Sequence, residues 1–265
     1  MDLRGWVRTS LIDYPDRLAT VLFTGGCNFR CPICHNADLV LRPGDLPAVP
    51  EPEVWEFLAR RAAVVDGVVL SGGEPTLQPD LLPFLRRLRE RKMAIKLDTN
   101  GYRPEVLEAV LAEGLVDYVA MDVKAPPEKY GLLAGRPDVE VGLIERSIDL
   151  LRGSDIAYEF RTTVVPGLLD EADVEAIARW LAGVVDRRDA AGAESSLDSQ
   201  RSAGSLPEAA VPAAKHRPGV PLVLQQFQPL GTLDPALQRV TPYPLERLRE
   251  MAGRAAQWVG RVQVR

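Results

Sequence analysis

The chain has 265 residues, a formal charge of −5 and 26% charged residues, the profile of an ordinary acidic globular protein long enough to bury a core without disulfides. No basic block argues for nucleic acid as an obligate partner. No run of about 18 apolar residues argues for a membrane span, and Met1-Asp2-Leu3-Arg4-Gly5-Trp6 lacks the apolar core of a signal peptide.

The chain opens on a segment carrying Ser10-Leu11-Ile12-Asp13-Tyr14-Pro15, followed by a near-continuous apolar run from Leu18 to Phe23 that reads as a buried strand. That strand delivers the chain into Gly25-Gly26-Cys27-Asn28-Phe29-Arg30-Cys31-Pro32-Ile33-Cys34-His35-Asn36. Residues 37–50 read as a proline-rich loop, and a helix begins near Glu51-Pro52-Glu53, with proline and acid in its first turn. Strand and helix then alternate. Val68-Val69-Leu70 ends in Ser71-Gly72-Gly73-Glu74-Pro75 and leads to a helix from Leu81 to Arg91. Ala94-Ile95-Lys96-Leu97 ends in Asp98-Thr99-Asn100-Gly101, and Pro104 opens the next helix. Tyr118-Val119-Ala120-Met121 ends in Asp122-Val123-Lys124, with a helix marked by Ile144, Ile148 and Leu151 beyond. Ala157 to Val165 is a strand containing Arg161, and Asp170-x-x-Asp173 caps a further helix.

Alternation breaks at residues 186–219, a low-complexity stretch rich in Ala and Ser without an aromatic residue, which reads as a flexible insertion. It resumes with Pro221 to Phe227 and a helix from about Pro244 to Val259. Roughly six strand–helix pairs argue for an α/β protein with a parallel sheet. Six units are too few for a closed eightfold barrel, so the expected architecture is one domain over residues 1–265, an open, partial (β/α)6 barrel. Periodicity leaves a doubly wound sheet as the alternative.

The chemistry concentrates in the loop with the only three cysteines, Cys27, Cys31 and Cys34. C-x-x-x-C-x-x-C supplies three thiolates to a cubane iron–sulfur cluster that takes four ligands, leaving one iron open. The same spacing makes one stripe of a helix, but Pro32 disfavours an interior helical turn there. Zinc with His35 as fourth ligand is a second alternative, made awkward by the adjacency of Cys34 and His35. Three cysteines clustered together and none elsewhere fit a reducing cytoplasm.

The remaining candidates share a position. Gly72, Gly73, Glu74, Asp98, Thr99, Asp122, Lys124 and Gln228 all fall at the C-terminal ends of predicted strands, and Arg161 lies within one. In parallel α/β architectures that edge is where ligands bind. Each has a plainer reading on its own: a glycine turn, an Asx turn at Asp98, an Asp122–Lys124 ion pair. Their common edge points to one ligand site facing the cysteine loop.

Cys27-x-x-x-Cys31-x-x-Cys34 followed by Ser71-Gly72-Gly73-Glu74-Pro75 resembles the radical S-adenosylmethionine enzymes. Cys34-His35-Asn36, Asp98-Thr99-Asn100-Gly101, Asp122-Val123-Lys124 and Arg161 to Gly167 narrow the resemblance to glycyl-radical-enzyme activases. Ser10 to Pro15 and Gln225-Gln226-Phe227 are most similar to the activating proteins of anaerobic ribonucleoside-triphosphate reductases. The resemblance covers nearly all of the chain except the insertion. It implies a [4Fe–4S] cluster on Cys27, Cys31 and Cys34, with S-adenosylmethionine chelated on the open iron. Gly72, Gly73 and Glu74 would meet its amino group, and Lys124 and Arg161 its carboxylate. Asp98, Thr99 and Asp122 match positions that help bind a monovalent cation and the cofactor. Gln228 replaces a histidine that lies near the ribose in pyruvate formate-lyase activase, and Ile33 replaces an aromatic residue near the adenine.

The implied reaction is reductive cleavage of S-adenosylmethionine to a 5′-deoxyadenosyl radical, which removes a hydrogen from a glycine of the partner enzyme. The electron would come from a flavodoxin or ferredoxin in the cytoplasm. A radical enzyme acting on a small molecule, such as a deazaguanine-forming synthase, and a non-catalytic iron–sulfur or zinc protein are the competing expectations.

Overall fold

The structure, a computed structural model, describes residues 1–184 and 219–265. The expected insertion at 186–219 therefore lies, except for Gly219, outside the described residues. Eight strands form one sheet in sequential order: β1 (Leu3–Ser10), β2 (Ala19–Thr24), β3 (Gly67–Gly72), β4 (Ala94–Thr99), β5 (Tyr118–Asp122), β6 (Ala157–Val164), β7 (Pro221–Gln226) and β8 (Arg261–Val264). β1 runs antiparallel to β2, and every other neighbouring pair is parallel. β1 and β8 are the two edges and do not pair, so the sheet stays open.

Each of β2 to β7 is followed by helix. The helices are α1 (Ala37–Leu41) and α2 (Glu51–Arg61) after β2, α3 (Leu81–Glu90) after β3 and α4 (Pro104–Ala112) after β4; then come α5 (Tyr130–Ala134) and α6 (Val141–Gly153) after β5, α7 (Glu171–Ala182) after β6, and α8 (Leu245–Val259) after β7. These are the six expected units, with β1 and β8 added. β1 escapes the sequence pattern because arginines and exposed positions interrupt it, as suits an edge strand. β8 is four residues long. Within the supposed loop 37–50, α1 and a 3-10 turn at Pro43–Asp45 form instead.

Period-two alternation sorts the strand residues into two layers. Leu22, Leu70, Ile95, Leu97, Val119, Met121, Phe160 and Leu224 point to the face that the helices cover, and they share one core cluster with Val54, Leu85, Leu107, Ile144, Ile177 and Leu248 from α2, α3, α4, α6, α7 and α8. All these helices thus pack on a single face. A doubly wound sheet needs a reversal of strand order and helices on both faces, so that alternative is excluded. The opposite face carries a small apolar cluster of Tyr14, Ala19, Val21 and Val69. Beyond it, Lys96, Asp98, Asp122, Glu159 and Arg161 occupy the same face, because paired positions put Asp98 beside Ala120 and Asp122 beside Arg161. Of these, Asp98, Asp122 and Arg161 lie toward the edge where the cysteine loop leaves β2, whereas Glu159 pairs with Arg265 away from it.

Candidate active site

The cysteine loop has little regular structure, and its conformation is fixed by contacts from three directions. From β3, Gly73 N donates to Thr24 O and Glu74 N to Gly26 O, both at 2.8 Å. The approach is so close that a Cβ on Gly73 would lie 1.9 Å from the Gly26 carbonyl oxygen, and one on Gly72, whose φ is +118°, would lie 2.3 Å from Thr24 N. Only glycine fits either position. From α5, Ala134 O accepts from Arg30 N at 2.8 Å, and Gly135 ends the helix in the left-handed conformation against Arg30 O. From the segment after β7, Leu233 N donates to Cys34 O at 3.0 Å and Asp234 N to Pro32 O at 2.9 Å. Phe29 anchors the loop from beneath, 1% exposed and packed on the rings of Tyr102 and Tyr130.

One cavity of about 400 Å³ opens beside this loop, and every residue singled out from the sequence lines it: the three cysteines, Gly72, Gly73, Glu74, Asp98, Thr99, Asp122, Lys124, Arg161 and Gln228. Ile33 is there too, and so are Ser71, Asn100, Thr163, Gln225 and Gln226, which the sequence reading quoted within motifs without assigning them to the site. The signal that could have found these five is adjacency to singled-out residues at the same strand ends. Gln228 is exposed at the rim.

Glu74 differs in kind from its neighbours. It is 1% exposed, and its carboxylate already accepts from Thr76 N (3.0 Å), Thr76 Oγ1 (2.6 Å), Thr99 Oγ1 (2.8 Å) and Asn100 N (2.7 Å). Burial pushes its carboxyl up, against those hydrogen bonds. Three of these donors fall on Oε1 and one on Oε2, so Glu74 ties the end of β3 to the end of β4. Asn100, held there, donates to Asn28 Oδ1 at 2.7 Å in the cysteine loop.

The opposite wall is an ion network. Lys96 Nζ meets Asp98 Oδ1 at 2.5 Å, Asp98 Oδ2 meets Arg161 Nη1 at 3.2 Å, Arg161 Nε meets Asp122 Oδ1 at 2.8 Å, and Asp122 Oδ2 meets Lys124 Nζ at 2.8 Å. Burial alone would raise the Asp122 carboxyl, but Arg161 and Lys124 outweigh it and hold the group well below the usual carboxylate range. Burial likewise works against the Lys124 and Arg161 cations, and Asp122 more than compensates in both. Three cations thus share two carboxylates, and of these five groups Asp98, Asp122, Lys124 and Arg161 line the cavity.

The thiols suit a metal cluster. All three are free. Burial pushes the Cys27 thiol up to about 12, with the charge of Glu74 adding to it, and burial raises Cys31 as well, against Lys124. Such thiols become thiolates only when metal displaces their protons. Phe29 N donates to Cys27 Sγ at 3.4 Å, and Asn28 Nδ2 is a buried donor without a partner next to the first cysteine. Among the described residues, no three His, Cys, Asp or Glu side chains converge as ligands of a single metal ion. The zinc alternative with His35 therefore has no such convergence to rest on, whereas a cubane takes each thiolate on a separate iron.

Residues 21–181 match the model of the radical SAM superfamily. The chain belongs to this superfamily. Among relatives of this radical SAM chain, a Methanocaldococcus jannaschii protein provisionally named as a glycyl-radical enzyme activating enzyme is 41% identical over 180 residues, covering 66% of this chain and 73% of that one. The pyruvate formate-lyase-activating enzyme of Clostridium pasteurianum is 35% identical over 119 residues, 43% of this chain and 48% of that protein. Among solved structures, Streptococcus suis SuiB superposes with a TM-score of 0.56 at 16% identity, over 92% of this chain and 48% of that one. Coproporphyrinogen III oxidase (HemN) from Escherichia coli gives 0.55 at 13% identity, over 94% and 54%. The radical SAM chain spans about half the length of both structures, which share its fold. Family membership implies a [4Fe–4S] cluster and S-adenosylmethionine. Among the described residues no helix is long and apolar enough to cross a membrane.

Proposed function

We propose that this radical SAM chain activates a glycyl radical enzyme, holding a [4Fe–4S] cluster on Cys27, Cys31 and Cys34 and S-adenosylmethionine in the adjoining cavity. The observation that carries the reading is the 41% identity over 180 residues to the M. jannaschii protein of that provisional name, with pyruvate formate-lyase-activating enzymes also similar. Held by Cys27, Cys31 and Cys34, the cluster would supply the one-electron reduction that cleaves the sulfonium and makes hydrogen abstraction from a glycine of the partner possible.

The work of the chain's own residues is to bind, orient and screen. Lys124 and Arg161, the two cations of the network that line the cavity, favour the methionine carboxylate. The backbone at Gly72 and Gly73, bare of side chains, meets the amino group, while Glu74 keeps that backbone in place. Asp98 and Asp122 set the cations against the cofactor, and Thr99 holds Glu74. Ile33 covers the adenine, and Gln228 reaches the ribose from the rim. The three cysteines suffice for one cluster and leave none for a relay, so the electron comes from an external flavodoxin or ferredoxin in the cytoplasm.

The partner assigned is anaerobic ribonucleoside-triphosphate reductase, on the resemblance of Ser10 to Pro15 and Gln225-Gln226-Phe227. The test is anaerobic reconstitution with iron and sulfide, reduction with S-adenosylmethionine, and assay for 5′-deoxyadenosine. A glycyl radical signal is then sought on the added reductase. No 5′-deoxyadenosine overturns the radical chemistry. 5′-Deoxyadenosine without a glycyl radical overturns the partner and turns the search to small molecules.

A further inference from the structure

The resemblance implies a monovalent cation among Asp98, Thr99 and Asp122, but the carboxylates there are already occupied. Asp98 receives Lys96 on one oxygen, and Arg161 and Ser71 Oγ (3.3 Å) on the other. Asp122 receives Arg161 on one oxygen and Lys124 on the other. Thr99 Oγ1 is committed to Glu74 at 2.8 Å. Of the cations in this group, Lys96 is the deepest. The residue is 3% exposed, stands two residues before Asp98 on the same face of β4, and has its ammonium 5.9 Å from the centre of the Tyr118 ring.

We propose that the Lys96 ammonium is a built-in replacement for the monovalent cation, so that this protein binds S-adenosylmethionine without potassium or sodium. Lys96 is a positioning residue: it neutralises Asp98, and Asp98 in turn holds Arg161 toward the cavity. A free ion added to the intact network would bring a fourth positive charge to two carboxylates whose every oxygen already faces a cation. A chain without Lys96 would leave Asp98 Oδ1 buried without its partner. That leaves a space beside an uncovered carboxylate oxygen which a potassium ion fills, since hard cations take carboxylate and hydroxyl oxygens.

This inference rests on S-adenosylmethionine as the ligand. The test is equilibrium binding of S-adenosylmethionine to the anaerobically reconstituted protein, at constant ionic strength, in choline chloride and in potassium chloride. The wild-type protein is expected to bind equally, within twofold, in both salts. Lys96→Met is expected to bind at least about tenfold more weakly in choline and to recover to within about threefold in potassium, and Lys96→Arg to remain indifferent to the salt. Wild-type binding that strengthens tenfold or more with potassium overturns the assignment even if Lys96→Met does not fold. A folded Lys96→Met that potassium does not rescue, or that never loses affinity, also overturns it. No binding by the wild type in either salt overturns the reading of the ligand instead.

Discussion

Replacing Glu74 by glutamine separates a ligand from a structural tie. The amide keeps one acceptor oxygen and turns the other into a donor. Its better placement puts the oxygen where Oε1 receives Thr76 N, Thr76 Oγ1 and Thr99 Oγ1, leaving the nitrogen against Asn100 N, which Oε2 accepts at 2.7 Å. One buried N–H then loses its partner, at a cost of about 1–3 kcal/mol, and three bonds lose their charge assistance. Part of this is offset because the neutral amide has no buried charge to desolvate. The net destabilisation is about 2–3 kcal/mol, which for a chain of this size lowers Tm by about 5–10 °C. The assay is a thermal scan of cluster-free protein by circular dichroism, paired with S-adenosylmethionine binding after reconstitution. If Tm stays within a degree of wild type while affinity collapses, Glu74 is a ligand whose bonds to Thr76, Thr99 and Asn100 matter little, and the reasoning is wrong.

Other expected outcomes follow from the same geometry. Cys31→Ala should reduce iron and the visible cluster absorbance to background while leaving the far-ultraviolet circular dichroism unchanged. Lys124→Ala removes a charge-assisted partner worth about 1.5–3 kcal/mol and should weaken S-adenosylmethionine binding by about tenfold or more; unchanged affinity would take Lys124 out of the site. Gly73→Ala drives a methyl into the Gly26 carbonyl, and iron incorporation should fall even though no cysteine is touched. Asp122→Asn should cost about 2 kcal/mol near pH 7, because Arg161 and Lys124 lose their shared anion. Since the folded carboxyl titrates below its unfolded value of about 3.9, its contribution is present above that value and is lost as pH falls below it. The stability gap between Asp122→Asn and wild type should therefore close in denaturant titrations below about pH 4, and a gap that widens there would refute the sign.

How much of this was legible in the sequence depends on which force fixed each part. The parallel units were legible because buried strands such as Val68 to Leu70 must be apolar and each parallel crossover needs a helix. The one-edged placement of Gly72, Asp98, Asp122 and Lys124 followed from the same alternation. β1 was hidden because an edge strand tolerates Arg4 and Arg8, and the choice between open barrel and doubly wound sheet depended on which strands pair, a long-range outcome that period cannot encode. The hydrogen-bonded tie made by Glu74 was hidden for a related reason. Its donors come from Thr76, Thr99 and Asn100, and two of those lie more than twenty residues away. Lys96 was read only as part of a strand, although its spacing of two from Asp98 puts both on one face, as it does for Asp122 and Lys124.

The cysteine loop illustrates how a metal site can be built ahead of its metal. A segment with no regular ladder of its own would ordinarily adopt many conformations, and a cluster that had to order it would lose affinity to that entropy. Here the backbone bonds from β3, the end of α5 and the segment at Leu233–Asp234, together with the buried Phe29, hold the loop through contacts that do not involve the thiols. Each of those contacts uses main-chain atoms or a residue between the cysteines, so the thiols stay free for ligation. It follows that the cluster contributes little to the fold. Chelating the iron should shift Tm by no more than a few degrees, unlike small zinc domains that unfold without their metal. If instead the chain unfolds on chelation, the loop is held by the cluster, and the three-sided clamp is a consequence of binding rather than its preparation.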